Sequence, residues 1–124
     1  PQRQLGVMIA TESGSVTAYA LDALYDRGSF FIKPGYKVYE GQIVGEHCKG
    51  NDIVVNVTRI KKMTNIRAAA KDAAAQVRPM RQMSLEAYLE YIQEDELVEI
   101  TPSSIRLRKQ ILSDTDRRRV ARRG

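Results

Sequence analysis

A chain of 124 residues, 43% hydrophobic and 28% charged, carries enough apolar material for one domain and is neither disordered nor fibrous in composition. No apolar run approaches the roughly 18 residues of a membrane span, no charged-then-apolar leader opens the chain, and a lone cysteine beside a lone histidine leaves neither a disulfide framework nor a structural zinc set. The net charge of +5 is laid out in blocks: residues 1–57 carry −1, residues 58–80 carry +5, residues 81–105 carry −5 and residues 106–124 carry +6.

The expectation is a soluble, cytoplasmic chain forming a single domain over residues 1–124. It opens at Pro1 without an initiator methionine and reads as a piece of a longer protein.

Residues 5–10 have the apolar content of a strand, and Glu12-Ser-Gly-Ser15 is turn material. Residues 16–21 alternate Val16, Ala18 and Ala20 against Thr17 and Tyr19, a period of two that predicts a second strand and a hairpin with the first. Residues 22–28 read as a short helical turn closed by Gly28, residues 29–33 as a third strand, and Pro34-Gly35 as its break. Val38, Ile43 and Val44 form strands between glycine corners, and residues 53–57 are a β-branched run suited to burial. Five or six short strands with glycine-rich corners predict a small barrel or sandwich. No phosphate-cradling G-x-x-x-x-G-K-[ST] occurs, so those glycines are read as turns. His47 and Cys48 are adjacent, which on a strand sends them to opposite faces and spoils them as a base and nucleophile pair.

Residues 58–80 are different in kind. They hold Arg59, Lys61, Lys62, Arg67, Lys71 and Arg78 against the single acid Asp72, and between Met63 and Val77 the only large apolar side chain is Ile66. A long segment with charge and no core of its own is either a linker or a device for reaching an anionic surface. Extended, half of it would carry a tip roughly 35 Å from the sheet. The alanine-rich residues 68–75 could fold to helix on contact. Point charges, a guanidinium and the small polar groups Thr64 and Asn65 suit phosphate and ribose contacts, and the segment has no aromatic residue for base stacking.

Ser84 is placed to cap a helix over residues 84–96, with Leu85, Tyr88, Leu89 and Ile92 on one face and Glu86, Glu90 and Glu94 on another. Leu97, Val98 and Ile100 follow as a strand ended by Pro102. In residues 104–109, Ile105 and Leu107 alternate with Arg106 and Arg108, presenting two guanidinium groups on an exposed face, with Lys109 beside them. Ser113-Asp-Thr-Asp116 caps a short terminal helix of Arg117, Arg118, Arg119, Arg122 and Arg123. For that helix a frayed terminus and an RNA contact are equally compatible with composition. The fold class expected is α+β, mainly β, with one main helix, a short terminal helix and a long basic loop.

Several runs carry a resemblance. They are Gly41-Gln-Ile-Val-Gly-Glu-His47, Asn51-Asp52, Val55-Asn56-Val57, Lys61-Lys62-Met63-Thr64-Asn65-Ile66-Arg67, Leu97-Val98-Glu99-Ile100-Thr101-Pro102, Ile105-Arg106-Leu107-Arg108-Lys109 and Asp116-Arg117-Arg118-Arg119. Together, from about Gly6 to Arg119, the chain resembles the C-terminal domain of the bacterial translational GTPase family called BipA or TypA. The resemblance implies a ribosome-binding factor related to elongation factor G, with GTPase domains upstream that would hold GTP and Mg2+. It implies that the long loop enters the large subunit near the peptidyl-transferase region and touches the acceptor end of A-site tRNA, with Lys61, Lys62, Thr64, Asn65 and Arg67 at the tip. It ties the family to large-subunit assembly, growth at low temperature and stress or virulence responses.

The expected function is therefore binding of large-subunit rRNA and A-site tRNA by Arg59, Lys61, Lys62, Thr64, Asn65, Arg67, Lys71, Arg78, Arg106, Arg108, Lys109, Arg117, Arg118 and Arg119. No catalysis, no metal and no cofactor is expected in this piece, no membrane is involved, and no oligomer is implied. The alternative is a protein-interaction module that docks through the acidic helix face from Glu86 to Glu94 and the β-sheet, with the basic segment as a linker. An enzyme is the weakest reading, since no triad, metal set or paired carboxylates stand out.

Overall fold

The computed structural model describes residues 3–60 and 80–123. Among them the first half runs β1 (Val7–Ala10), β2 (Gly14–Ser15), α1 (Ala18–Leu24), a 3-10 turn (Tyr25–Arg27), β3 (Gly28–Phe30), β4 (Lys37–Val38), β5 (Gln42–His47) and β6 (Ile53–Val55). The second half runs α2 (Leu85–Tyr91), β7 (Glu96–Thr101), β8 (Ser104–Lys109) and α3 (Asp114–Arg123).

The four residues of β1 are all apolar and all buried. Side chains alternate across a strand, so Met8 and Ala10 join one apolar cluster while Val7 and Ile9 join another. A strand with no polar side must be covered on both faces. On one face Met8, Ala10, Val44 and Val55 meet Val16 and Leu21 around α1. On the other Val7, Ile9, Ile43 and Leu107 meet Phe31 and Tyr88 of α2. There Phe31 makes edge-to-face contacts with Tyr88 and Tyr91 at centroid distances of 6.1 and 5.7 Å.

The main sheet has the order β6-β1-β5-β8-β7, with β3 also paired to β5. β1 and β6 are parallel, and the other pairs are antiparallel. β2 and β4 form a separate two-stranded ribbon. The fold is thus the sheet-rich α+β class expected, but the sheet is open, with β6 and β7 at its edges.

The strand expected over residues 53–57 is shorter, Ile53–Val55, with Val54 exposed at the sheet edge. Two helical regions also differ from expectation. Residues 16–21 are not a strand: Thr17 caps α1 by accepting a hydrogen bond from the Ala20 amide at 3.1 Å. The side chains buried there are Val16, Ala20 and Leu21, a helical spacing. The alternation in the sequence was carried by alanines, which are small enough to fit either pattern and favour helix. The second difference is length. α2 starts where Ser84 places it, with the Ala87 amide donating to Ser84 Oγ at 3.1 Å, but it ends at Tyr91 as Ile92 turns extended. Glu94 therefore leaves the acidic row, and Leu89 faces outward, 55% exposed, while Tyr91 packs inward.

Candidate nucleic-acid interface

The basic segment 58–80 is anchored at both described ends. On entry, the Thr17 amide donates to Val57 O at 3.1 Å, the Thr17 hydroxyl donates to Arg59 O at 2.6 Å, and the Arg59 guanidinium lies 5.8 Å from the Tyr19 ring centroid. On return, the Arg81 amide donates to Phe30 O at 2.8 Å, and its guanidinium pairs with Glu46 at 2.9 Å while resting against Phe31 and Tyr91. Glu46 also accepts from the Tyr91 hydroxyl at 2.9 Å. Burial first, and that hydrogen bond second, push the Tyr91 phenol up. Lys61, Lys62, Thr64, Asn65, Arg67, Lys71 and Arg78, with the expected helix over residues 68–75, lie outside the described residues.

The expected strand face divides. Arg106 and Arg108 do share a side of β8, each half-buried, with Glu99 opposite at 3.8 and 3.9 Å. Those separations are charge contacts and not hydrogen bonds. Arg108 also donates to Lys109 O and Gln110 O, which fixes its fork along its own backbone. Glu99 accepts from the Tyr39 hydroxyl at 2.8 Å, and burial together with that bond raises the Tyr39 phenol to about 12.

Lys109 corrects the expectation that placed it among the phosphate contacts. It is only 2% exposed, and its ammonium sits 2.7 Å from Asp52, 2.8 Å from Asp95 and 2.8 Å from Glu96. The β7-β8 register puts Glu96 directly across from it. Arg3 closes the cluster from the other side with a two-pronged contact to Glu96 at 2.7 and 2.8 Å, its guanidinium lying 4.8 Å from the Tyr91 ring centroid. The three carboxylates lie within 4.8 Å of one another, a spacing that a cation could use, and the chain's own ammonium fills that role. Burial by itself would raise the Glu96 carboxyl. The hydrogen bonds from Arg3, Lys109 and the Gln93 amide, with the charge of Lys109, outweigh it and hold the group at about 2.

The terminal helix also divides. Arg117 folds back, donating to Ile111 O and Leu112 O at 2.9 and 2.7 Å, so it serves the fold. Arg118 and Arg119 point outward and pair within the helix with Asp114 at 2.8 Å and Asp116 at 3.6 Å. His47 is buried with Nδ1 at 2.6 Å from Asn51 O, and Cys48 is exposed, so the two face different surroundings and form no reactive pair.

A profile of the TypA/BipA C-terminal domain matches residues 5–114. The chain belongs to that family. It is 49% identical over 120 residues to the large ribosomal subunit assembly factor BipA of Bacillus subtilis, covering 97% of this chain. To the factors of the same name in Salmonella typhimurium and Escherichia coli K12 it is 51% and 50% identical over 121 residues, covering 98% of this chain. It spans 20% of the length of each. Of the cations expected to contact RNA in this TypA/BipA domain, the described ones that remain outward are Arg59, Arg106, Arg118 and Arg119, with Arg108 half-committed. Tyr36 and Lys37 belong to no motif in the sequence. They line a cavity with residues of β8 some 70 positions away in the chain, and no local pattern could have shown that.

Proposed function

We propose that this chain is the ribosome-binding module of a translational GTPase and acts in assembly of the large ribosomal subunit, as the name of its relatives suggests. In this reading residues 58–80 grip large-subunit rRNA and the acceptor end of A-site tRNA through phosphate and ribose contacts, in the cytoplasm and in adaptation to cold or stress. GTP and Mg2+ belong to upstream domains of the parent, and this piece does no chemistry.

One observation carries it: how charge is distributed along the chain. Within the described fold the cations mostly face acids. Lys109 has three, Arg3 has Glu96, Arg81 has Glu46, Arg106 and Arg108 share Glu99, and Arg118 has Asp114. Residues 58–80 hold six cations with one acid in the same stretch. Its entry is tied to Thr17 at the start of α1, and Arg81, just after it, is tied to β3 and β5. A charge excess carried on an anchored segment suits a polyanion whose counterions are released on contact.

The test is co-sedimentation of the chain with large subunits across a potassium chloride series. The Lys61→Gln/Lys62→Gln/Arg67→Gln variant is expected to weaken association and to flatten the slope of log affinity against log salt by about two to three units, as loss of roughly three phosphate contacts requires. An unchanged slope overturns the proposal. So does association that survives nuclease removal of the RNA, which would favour docking on a protein.

A further inference from the structure

Between β8 and the residues that follow the Pro34-Gly35 turn lies a cavity of about 310 Å³ with Phe31, Tyr36 and Tyr88 among its walls and Lys37, Ser104 and Arg106 at its polar side. Among the described residues that line it there is no carboxylate. The volume is at the lower end of what small-ligand sites occupy, enough for one planar group and its substituents.

The walls are rigid for identifiable reasons. Tyr36 follows a Pro34-Gly35 turn in which its amide donates to Lys33 O at 3.2 Å and Gly35 has φ +95°, the geometry of a type II turn. Its carbonyl accepts from the Val16 amide at 2.8 Å, so the ring is held on a fixed backbone yet remains 39% exposed. Opposite, the turn after β7 is closed by the Ser104 amide donating to Thr101 Oγ1 at 3.0 Å. Phe31 and Tyr88 are locked edge to face at 6.1 Å.

Cations collect around this aromatic ring. The Lys33 ammonium lies 5.8 Å from the Tyr36 ring centroid, and the Lys37 ammonium donates to the Ser15 hydroxyl at 2.5 Å. Arg106 is held 3.8 Å from Glu99, too far for a hydrogen bond, so among the described residues its donors stay available. An aromatic platform with hydroxyls and three cations nearby is the chemistry by which proteins hold single-stranded RNA, stacking a base and neutralising its phosphate. A basic peptide would find no carboxylate anchor here, and a duplex cannot enter a cavity of this size.

We propose that this cavity takes one unpaired nucleotide of RNA, the base against the aromatic wall at Tyr36 and the phosphate toward Lys37 and Arg106. The inference rests on the RNA-binding reading above and adds to it a second contact, made by stacking on residues that are not part of the 58–80 stretch.

The probe is a single-stranded octaribonucleotide of random sequence carrying one 4-thiouridine and a terminal fluorophore, with a duplex of the same length as control. Binding to the chain is read by anisotropy and photocrosslinks are mapped by mass spectrometry. Tyr36→Ala is expected to weaken the single strand about tenfold while Tyr36→Phe stays within about twofold and the duplex is unmoved by either. Lys37→Gln/Arg106→Gln should lower the salt slope for the single strand by about one to two units. Crosslinks are expected on the peptide holding Tyr36. Equal affinity of Tyr36→Ala and the parent, or crosslinks confined to residues 61–79, overturns the cavity proposal. If the triple variant at Lys61, Lys62 and Arg67 still flattens the ribosome salt slope in that case, the wider reading stands without the cavity. If it does not, both fall.

Discussion

Lys109→Ala is expected to destabilise the chain by about 3–5 kcal/mol, because removing one partner of a buried ion cluster leaves the others without compensation. Glu96 has a side chain with 0% exposure, and Lys109 is its cross-strand partner at 2.8 Å. Without the ammonium, Glu96 would keep only Arg3 and the Gln93 amide, and Asp52 and Asp95 would face it across a gap with no cation between them. The joint between the β7-β8 hairpin and β6 would loosen with it, since Asp52 also accepts from the Val7 amide at 2.9 Å. Urea denaturation of parent and variant measures the effect. The triple change Arg3→Met/Glu96→Leu/Lys109→Met should recover most of the loss, because replacing the buried members of an ion cluster by apolar groups is close to neutral and the remaining Asp52 and Asp95 reach solvent. A loss below about 1 kcal/mol for Lys109→Ala would mean that water compensates the carboxylates, against the buried geometry.

The same cluster sets an acid limit. Glu96 titrates at about 2 in the folded chain against an ordinary 4.5. A carboxyl depressed on folding stabilises the native state above its unfolded value and loses that contribution as pH falls toward the folded one. Stability should therefore drop by about 3 kcal/mol between pH 4.5 and 2 from this group alone. In Glu96→Gln the drop over that window should shrink accordingly, which denaturation at several pH values reads directly. Lys109, held above its ordinary value by the hydrogen bonds of Asp52, Asp95 and Glu96 in spite of its burial, adds a loss only at strongly alkaline pH.

Gly41→Ala is expected to cost about 3–5 kcal/mol, and Gly35→Ala only about 1–2, though both glycines have left-handed backbones at φ +91° and +95°. The difference is space. At Gly35 an added Cβ meets nothing within 4 Å, so only the conformational penalty applies. At Gly41 it would lie 2.6 Å from Leu112 Cα and 2.8 Å from Leu112 O, which are backbone and cannot swing aside. Gly41 also joins three strands, donating to Ala10 O at 3.0 Å and accepting from the Lys109 amide at 2.9 Å. Displacing it would disturb β1, β5 and β8 together. Thermal denaturation of the two variants side by side checks the contrast, and equal losses would remove the steric part of the explanation.

Strands β1, β7 and β8 could be read directly from the chain, because a four-residue apolar run and an alternating pair bounded by Pro102 satisfy burial in few ways. The charge blocks were equally plain. Residues 16–21 were not, since alanines at every second position leave the period ambiguous until Thr17 caps the helix and the sheet supplies a surface for Leu21. The candidate site shows the same boundary. Composition marks residues 58–80 as basic and without a core, while which other cations stay free depends on acids far along the chain. Arg106 and Lys109 stand three positions apart on one strand, yet one keeps its donors and the other is enclosed by Asp52, Asp95 and Glu96. What the sequence by itself determined is therefore the local preference of each segment and the total charge it carries. Only the tertiary structure decided which charges are spent inside the molecule, because an ion pair depends on distances that folding sets between residues remote in the chain.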